Sequence, residues 1–503
     1  MKKILLAALL VTGMMEAKSQ NEGNVFYGST TVHDIYLQFY QTSYWDSLEA
    51  AYQGDYYISG DITIDGTLLT NCGVRFKGNS SYNNPSIKKS WKLDLNEFVQ
   101  GQDYDGLKKL NLNNCFKDPT FLREKLMNDF LRDHGMNAPR THFARVYLNG
   151  TLWGLYTVVE EADVKDFLRN NIGDDRGNMF KGDPQGDMQW FGSTPSTYYT
   201  KYELKTNTTL NDWTDLVNFL NILNNTASGS LQTQFDAVFD TDDYFYVWAT
   251  HSLFANLDSY LGSGHNYYIY HDSTDNKFKF ITWDTNEAFG NFNQGMSITQ
   301  LEQLTMFYAP SNRPLHTKQL AVSAYQQKLV DAFCVLAGTD FSNSYMDPRI
   351  DSLANVIRTD VYADPNKFFT NQNFEDNLTM NITVVGTPGG NNLPGLKSFI
   401  TNRRNFIQTE IAAYGCNLGM EENVTENTLS VWPNPAEEVL NFNGIEQLNE
   451  CHLQVFNVLG EEVYSGVAVS TLDLSAIDGK GFFTIKITNT RTNVSYVRNF
   501  LKI

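Results

Sequence analysis

Hydrophobic and polar positions alternate with a period of two along much of the chain, most plainly in a hairpin near its middle. Tyr267 to His271 alternates toward the polar turn Asp272 to Asn276, and Phe278, Phe280 and Thr282 resume the alternation on a returning strand. A second hairpin is predicted from Ala144 to Leu148, the turn Asn149-Gly150 and Leu152 to Val159, because Asn-Gly supplies the turn whose twist matches its flanking strands. Gly73 to Phe76 and Trp91 to Leu95 read as strands, with the small-residue turn Lys77-Gly78-Asn79-Ser80-Ser81 after the first. Helical periodicity takes over elsewhere. Asp118 reads as the cap of a helix with Pro119 at its first position and Phe121, Leu122, Leu126, Phe130 and Leu131 on one face, stopping near Gly135. Asp240 to Asp243 predicts another helix start before Tyr244 to Trp248, while Met296 to Phe307 and Ser323 to Leu336 read as helices of a larger lobe. Asn224 to Ser230 and Gly386 to Gly395 read as loops.

The pattern changes after Cys416. Residues 419–427 are polar and acidic, as in a linker, and residues 428–503 hold short alternating runs such as Val439 to Phe442, Leu453 to Val458 and Phe482 to Ile487, separated by turn residues. That predicts a small all-β sandwich. At the other end, Lys2-Lys3, the apolar run Ile4 to Met15 and Ala17-Lys18-Ser19 predict a signal peptide over residues 1–19, which leaves 20–418 as the main domain. No later apolar stretch is long enough to span a bilayer.

Composition narrows the functions available. With 503 residues and 42% hydrophobic content the chain can build more than one core, and its net charge of −19 argues against nucleic-acid polymers and anionic membranes as partners. Five cysteines are too few and too scattered for a disulfide framework, although an oxidising compartment would permit a pair such as Cys72 and Cys115. His251, His265 and His271 lack the spacing of a zinc set, so no zinc site is expected.

Candidate chemistry gathers around the central hairpin. Asp258 precedes it, His265-Asn266 opens it, and Trp283-Asp284-Thr285-Asn286-Glu287-Ala288-Phe289-Gly290 follows it, so both aspartates can face one cleft. Phosphoryl transfer needs one carboxylate to orient a hydroxyl and accept its proton, and an asparagine and a second carboxylate to hold a metal against the phosphates. The same residues could instead cap a turn and close a loop. In the N-terminal half, the turn Lys77, Gly78, Asn79 and Ser80 would let backbone amides approach phosphate, or form an ordinary hairpin turn. Lys88, Lys89 and Lys92 would bring an ammonium to the phosphates, or protect an edge strand.

Several short words, in order, resemble the CotH (spore coat protein H) kinase family of secreted, atypical protein-kinase-like proteins. They are Val74 to Ser81, Lys88 to Leu93, Leu107 to Leu112, Leu122 to Leu126 with its continuation to Pro139-Arg140, Leu148 to Tyr156, Glu160, and the two aspartate segments. The resemblance implies an α+β fold, an atypical two-lobed protein-kinase-like domain followed by the small sandwich. It implies Asp258 as catalytic carboxylate, Asp284 and Asn266 as ligands of Mg2+ or Mn2+, and ATP as donor to a protein substrate. Lys89 is favoured as the phosphate lysine with Lys92 as fallback, Glu124 as the helical acid that pairs with it, and Glu160 as neighbour of the adenine. Asn286 stands where the family usually carries a second acid, with Glu287 one position later, which weakens the expected pull on a metal. Pro433-Asn434-Pro435, Phe456 to Gly460 and Gly481 to Ile487 are similar to the C-terminal sorting domain of type IX secretion substrates of Bacteroidetes, which implies the outer-membrane type IX machinery as partner and a secreted or cell-surface address. Two other roles stay open: another ATP-dependent protein-modifying transferase on the same fold, and a non-catalytic cell-surface adhesin or structural protein.

Overall fold

The computed structural model describes residues 22–385, 392–416, 429–434, 436–445, 448–457, 462–477, 479–489 and 495–502. The expected signal peptide and the linker 419–427 lie outside them. The chain divides into two compact units, Met1–Cys416 and Asn417–Ile503.

The N-terminal part of the first unit holds seven strands: β1 (His33–Gln38), β2 (Ile58–Ile64), β3 (Thr67–Lys77), β4 (Ser90–Asp94), β5 (Lys109–Asn113), β6 (Thr141–Leu148) and β7 (Thr151–Glu160). They close into a barrel in the order β1-β2-β3-β4-β5-β7-β6, sealed where β1 pairs in parallel with β6. Alternation along the strands sorts the residues. Val74, Phe76, Trp91, Leu93, Leu110 and Leu112 enter one core, while Arg75, Lys92 and Asn111, which sit opposite one another in the ladder, stand on the other face with Lys77 and Asn113. A polar sheet face is thereby prepared for whatever packs beside it.

Short strands β8 (Met179–Lys181) and β9 (Glu203–Leu204) join the hairpin β10 (Tyr267–Asp272) and β11 (Lys277–Thr282) in a second sheet, ordered β11-β10-β8-β9. Both expected hairpins are present. Helices complete the unit: α1 (Asn24–Tyr27), α2 (Tyr44–Gly54), α3 (Ser80–Asn83), α4 (Arg123–Asp133), α5 (Lys165–Asn171), α6 (Thr214–Asn225), α7 (Ser228–Phe235), α8 (Thr241–Leu253), α9 (Ile298–Glu302), α10 (Pro314–Gln319), α11 (Ser323–Gly338), α12 (Asn343–Ala363), α13 (Asn371–Thr379) and α14 (Leu396–Ala412). The architecture of this unit is mixed α/β, with a closed seven-stranded barrel at its core.

Four expectations need correction. The helix expected from Pro119 begins at Arg123, because the Asp118 carboxylate accepts from the Thr120 amide (2.9 Å), the Thr120 hydroxyl (2.6 Å) and the Arg123 amide (2.9 Å), which holds 118–122 as a turn with Phe121 at φ +61°. In place of a helix over Met296 to Phe307 there is only α9, started by a reciprocal Ser297–Gln300 capping box. The loop expected over Asn224 to Ser230 is mostly helix, the end of α6 and the start of α7; of Gly386 to Gly395, residues 386–391 lie outside the described residues and Asn392–Leu393 pairs with Ile382–Thr383. Cys72 and Cys115 are separate buried thiols, and the disulfide joins Cys334 of α11 to Cys416, beyond α14, with Cα atoms 5.9 Å apart.

In the second unit, strands 430–432, 439–443 and 471–473 form one sheet, and 462–467, 451–456, 481–489 and 495–502 form another in that order. Leu440, Leu453, Val455, Leu472, Ile485 and Ile487 share its core, the arrangement of a small sandwich.

Candidate active site

Asp258 lies in the loop before the β10–β11 hairpin, and Asp284 follows it. Asp258 follows the turn that ends α8, and its Oδ1 lies 2.9 Å from His265 Nε2. Asn266, at φ +59°, donates from Nδ2 to the backbone carbonyl of Asp258 (2.7 Å), and its own carbonyl accepts from the Trp283 amide (3.2 Å). Asparagine tolerates that left-handed backbone, so one residue ties the loop before β10 to the residue leaving β11. Asp284 comes next, at φ +53°, close enough for the Asp258 charge to act on it.

The polar face of the barrel meets this loop. Lys77 Nζ donates to Asn111 Oδ1 (3.0 Å) and Asn113 Oδ1 (3.1 Å) and lies 5.6 Å from the centre of the Trp283 ring. Asn113 in turn donates to both carboxylate oxygens of Glu124 (3.1 and 2.9 Å) on α4. A strand lysine and a helical acid are thus linked through one amide. Lys77, Gly78, Asn113, Glu124, Asp284 and Asn286 line a narrow cleft of about 50 Å³. Beside the strand ends a larger cavity, about 360 Å³, is lined by Asp94, Lys109, Glu160, Glu161 and Phe167 among others.

Charge in the cleft is unbalanced toward carboxylates. Burial, with the Asp258 charge adding, raises Asp284 above the usual aspartate range, and Lys77 offsets part of that. Burial and then Asp284 push Glu124 up to about 8. Burial likewise pushes Glu287 to about 7, against the pull of Lys117 Nζ at 2.8 Å. Glu287 Oε2 is buried with no hydrogen-bond partner. Such a group of acids favours a nearby cation. Among the described residues no three His, Cys, Asp or Glu side chains form a metal-binding group. A cation would therefore rest on Asp284, the amide oxygens of Asn266 and Asn286, and oxygens of a substrate, which are hard donors suited to Mg2+ or Mn2+.

His265 has a different balance. Burial disfavours its imidazolium, but the hydrogen bond and charge of Asp258 outweigh that and raise its pKa above the ordinary histidine value. For a raised histidine the pairing contributes stability fully below the unfolded pKa, about 6.5, and loses it as pH rises through the folded value. Asp258→Asn is expected to bring the His265 titration, followed by 15N NMR of the imidazole, down to or below the ordinary value. An unchanged titration would mean that Asp258 does not hold this ring.

The other residues singled out in the sequence are dispersed. Lys89 Nζ is turned back onto the carbonyls of Tyr82 (2.6 Å) and Asn84 (2.7 Å), where it fastens the loop before β4 instead of reaching the cleft. Lys92 is paired with Glu161 at 2.5 Å. Lys88 is buried in a 2.5 Å pair with Asp364. Glu160 ends β7 and is held by Arg140, whose Nε lies 3.0 Å away. Gly78 and Asn79 form the exposed turn that leads from β3 into Ser80 at the start of α3, and Gly78 takes φ +89°, which disfavours any side chain there. Asn111, Asn113, Glu161 and His265 were not foreseen. The first two were readable from Lys109 to Asn113, where asparagines alternate with leucines.

Residues 74–407 match the profile of the family described as CotH kinase protein. The chain belongs to that family. Residues 430–501 match the secretion system C-terminal sorting domain, which marks the chain for type IX secretion to the cell surface or beyond. No helix among the described residues is long and apolar enough to cross a membrane. Among curated proteins the chain is similar to the inner spore coat protein H of Bacillus subtilis, 26% identical over 56% of this chain and 75% of that one. It is also similar to two Rhizopus delemar proteins, invasin CotH2 (25% identical, 46% of this chain and 41% of that one) and invasin CotH3 (22%, 70% and 62%). Among solved structures, the Helicobacter pylori proinflammatory kinase CtkA aligns with a TM-score of 0.25, 8% identity, and coverage of 62% of this chain and 94% of that one. PorZ, a surface component of the type IX secretion system of Porphyromonas gingivalis, aligns with a TM-score of 0.14, 15% identity, and 17% and 13% coverage. At those scores neither structure informs the fold.

Proposed function

We propose that this chain is a secreted protein kinase of two-lobed, kinase-like build, the barrel acting as one lobe and the helices with the β10–β11 sheet as the other. It transfers the γ-phosphoryl group of ATP to a hydroxyl of a protein acceptor. The observation that supports this most is that Lys77, Glu124 and Asp284, from three separate stretches of chain, line one cleft, with the Asp258 charge acting on Asp284.

Asp258 orients the acceptor hydroxyl and takes its proton as the new oxygen–phosphorus bond forms and the bond to ADP breaks. His265, bonded to the other side of the carboxylate, keeps it in one rotamer. Lys77 contacts the phosphates, and Glu124 fixes Lys77 through Asn113. The amides of Gly78, Asn79 and Ser80 approach the phosphate tail. The adenine would occupy the cavity beside Glu160. A divalent cation, held by Asp284 with Asn266 and Asn286, would supply positive charge at the phosphate oxygens. The 50 Å³ cleft must widen to admit phosphates.

ATP titrated into the full chain with Mn2+ or Mg2+ is expected to bind, and Asp284→Ala to weaken that binding at least tenfold. Equal binding by the variant would remove Asp284 from the metal's ligands. A non-catalytic adhesive role has one observation in its favour, the neutral Asn286 where the family carries an acid, and absence of nucleotide binding in the wild type would select it.

A further inference from the structure

Beside α4 lies a further cavity, about 260 Å³, whose lining includes Tyr27, Lys125, Asp129, Arg132, Arg140 and Thr141. Three of these are cations and one is an acid, in a chain whose net charge is −19. Two buried hydroxyls at this pocket, Tyr27 Oη and Thr141 Oγ1, have no hydrogen-bond partner, and Thr141 is only 2% exposed. Buried hydroxyls are ordinarily paired, so two orphans among three cations mark a place built for something that accepts hydrogen bonds.

We propose that this pocket binds a compact oxyanion of the phosphate class. The cations are fixed in place by their neighbours: Lys125 Nζ lies 2.9 Å from Asp129 and donates to the Thr141 carbonyl at 3.0 Å, while Arg132 donates through one terminal nitrogen to the Ala138 carbonyl and Asn171 at 2.8 Å each. Arg140 is held by Glu160, donates also to Asn24 Oδ1 (3.0 Å) and the Glu22 carbonyl (2.6 Å), and lies over the Tyr27 ring, 4.8 Å from its centre. Guanidinium forks and an ammonium beside hydroxyl donors suit a multiply charged tetrahedral anion better than a cation or an apolar group. Burial, with the Glu160 charge adding, holds the Tyr27 phenol well above its ordinary range, so it remains a donor at physiological pH.

The pocket touches the cleft through its walls. Glu124, next to Lys125 on α4, faces the cleft, and Asn128 of the same helix accepts from Thr285, next to Asp284, at 2.9 Å. A bound anion would pin α4 in the pose that presents Glu124.

The test titrates inorganic phosphate, sulfate and acetate into the full chain at constant ionic strength, reading the melting temperature and the 31P linewidth. Phosphate and sulfate are expected to bind saturably and acetate much more weakly. Arg132→Gln should weaken phosphate at least tenfold, Tyr27→Phe with Thr141→Val several-fold, and Lys77→Met not at all. The paired hydroxyl variant keeps the side-chain volumes, so a folded protein is available even if Arg132→Gln fails to fold. The proposal is overturned if phosphate does not bind, if acetate binds equally well, or if binding survives the pocket variants and is lost in Lys77→Met, which would put the anion in the catalytic cleft.

Discussion

Lys77→Met abolishes nucleotide-dependent modification, a loss of about a hundredfold or more, whereas Lys89→Met leaves the rate within a few-fold of wild type. The contrast follows from where the two ammonium groups go. Lys77 ends β3 on the polar face of the barrel, held by Asn111 and Asn113 and facing the Asp284 charge. Burial lowers its pKa, and Asp284 and Glu161 oppose that, so its cation is kept by the acids around it. Removing it leaves Asp284 and Glu124 without their shared counter-charge, and both should protonate more readily. Lys89 spends its donors on the carbonyls of its own loop. Its replacement loosens residues 82–89 without touching the cleft. Equal losses in both variants, measured by initial rates, would show that the loop and not the lysine charge sets activity.

Reduction of the Cys334–Cys416 disulfide produces the second large effect, on stability. The bridge spans a separation of 82 residues, for which chain entropy alone gives about 4–5 kcal/mol as an upper figure. It ties α11 to the segment just beyond α14, and those two helices pack together. Both cysteines are partly exposed, so a reductant can reach them. Chemical denaturation with and without dithiothreitol should show a large fall in midpoint, and Cys334→Ser should reproduce it in the absence of reductant. An unchanged midpoint would mean that helix packing alone holds the two segments.

The sequence was readable wherever the physics is local. Both hairpins follow from period-two alternation and a turn. Barrel closure was not readable, since β1 and β6 lie about a hundred residues apart in parallel and nothing near either strand announces the partner. The choice among lysines failed for a related reason. Lys88, Lys89 and Lys92 cluster in sequence, yet one pairs with Asp364, one with loop carbonyls and one with Glu161, partners visible only after folding. The disulfide was missed because a Cys334–Cys416 pair depends on how α11 and α14 meet. His265 was set aside as one of three histidines without zinc spacing, although its seven-residue spacing from Asp258 is the span of the loop that brings them together.

The central claim is transfer of the γ-phosphoryl group by Asp258, and the direct measurement follows differently labelled ATP onto protein. Full-length chain is incubated with Mn2+ and a protein acceptor pool, in parallel with ATP labelled at the α or the γ phosphate, and covalent label is read after denaturing separation alongside Asp258→Asn. The account predicts covalent label from γ-labelled ATP only, lost in the variant. Label retained from the α phosphate, or γ label that persists in Asp258→Asn, would contradict it.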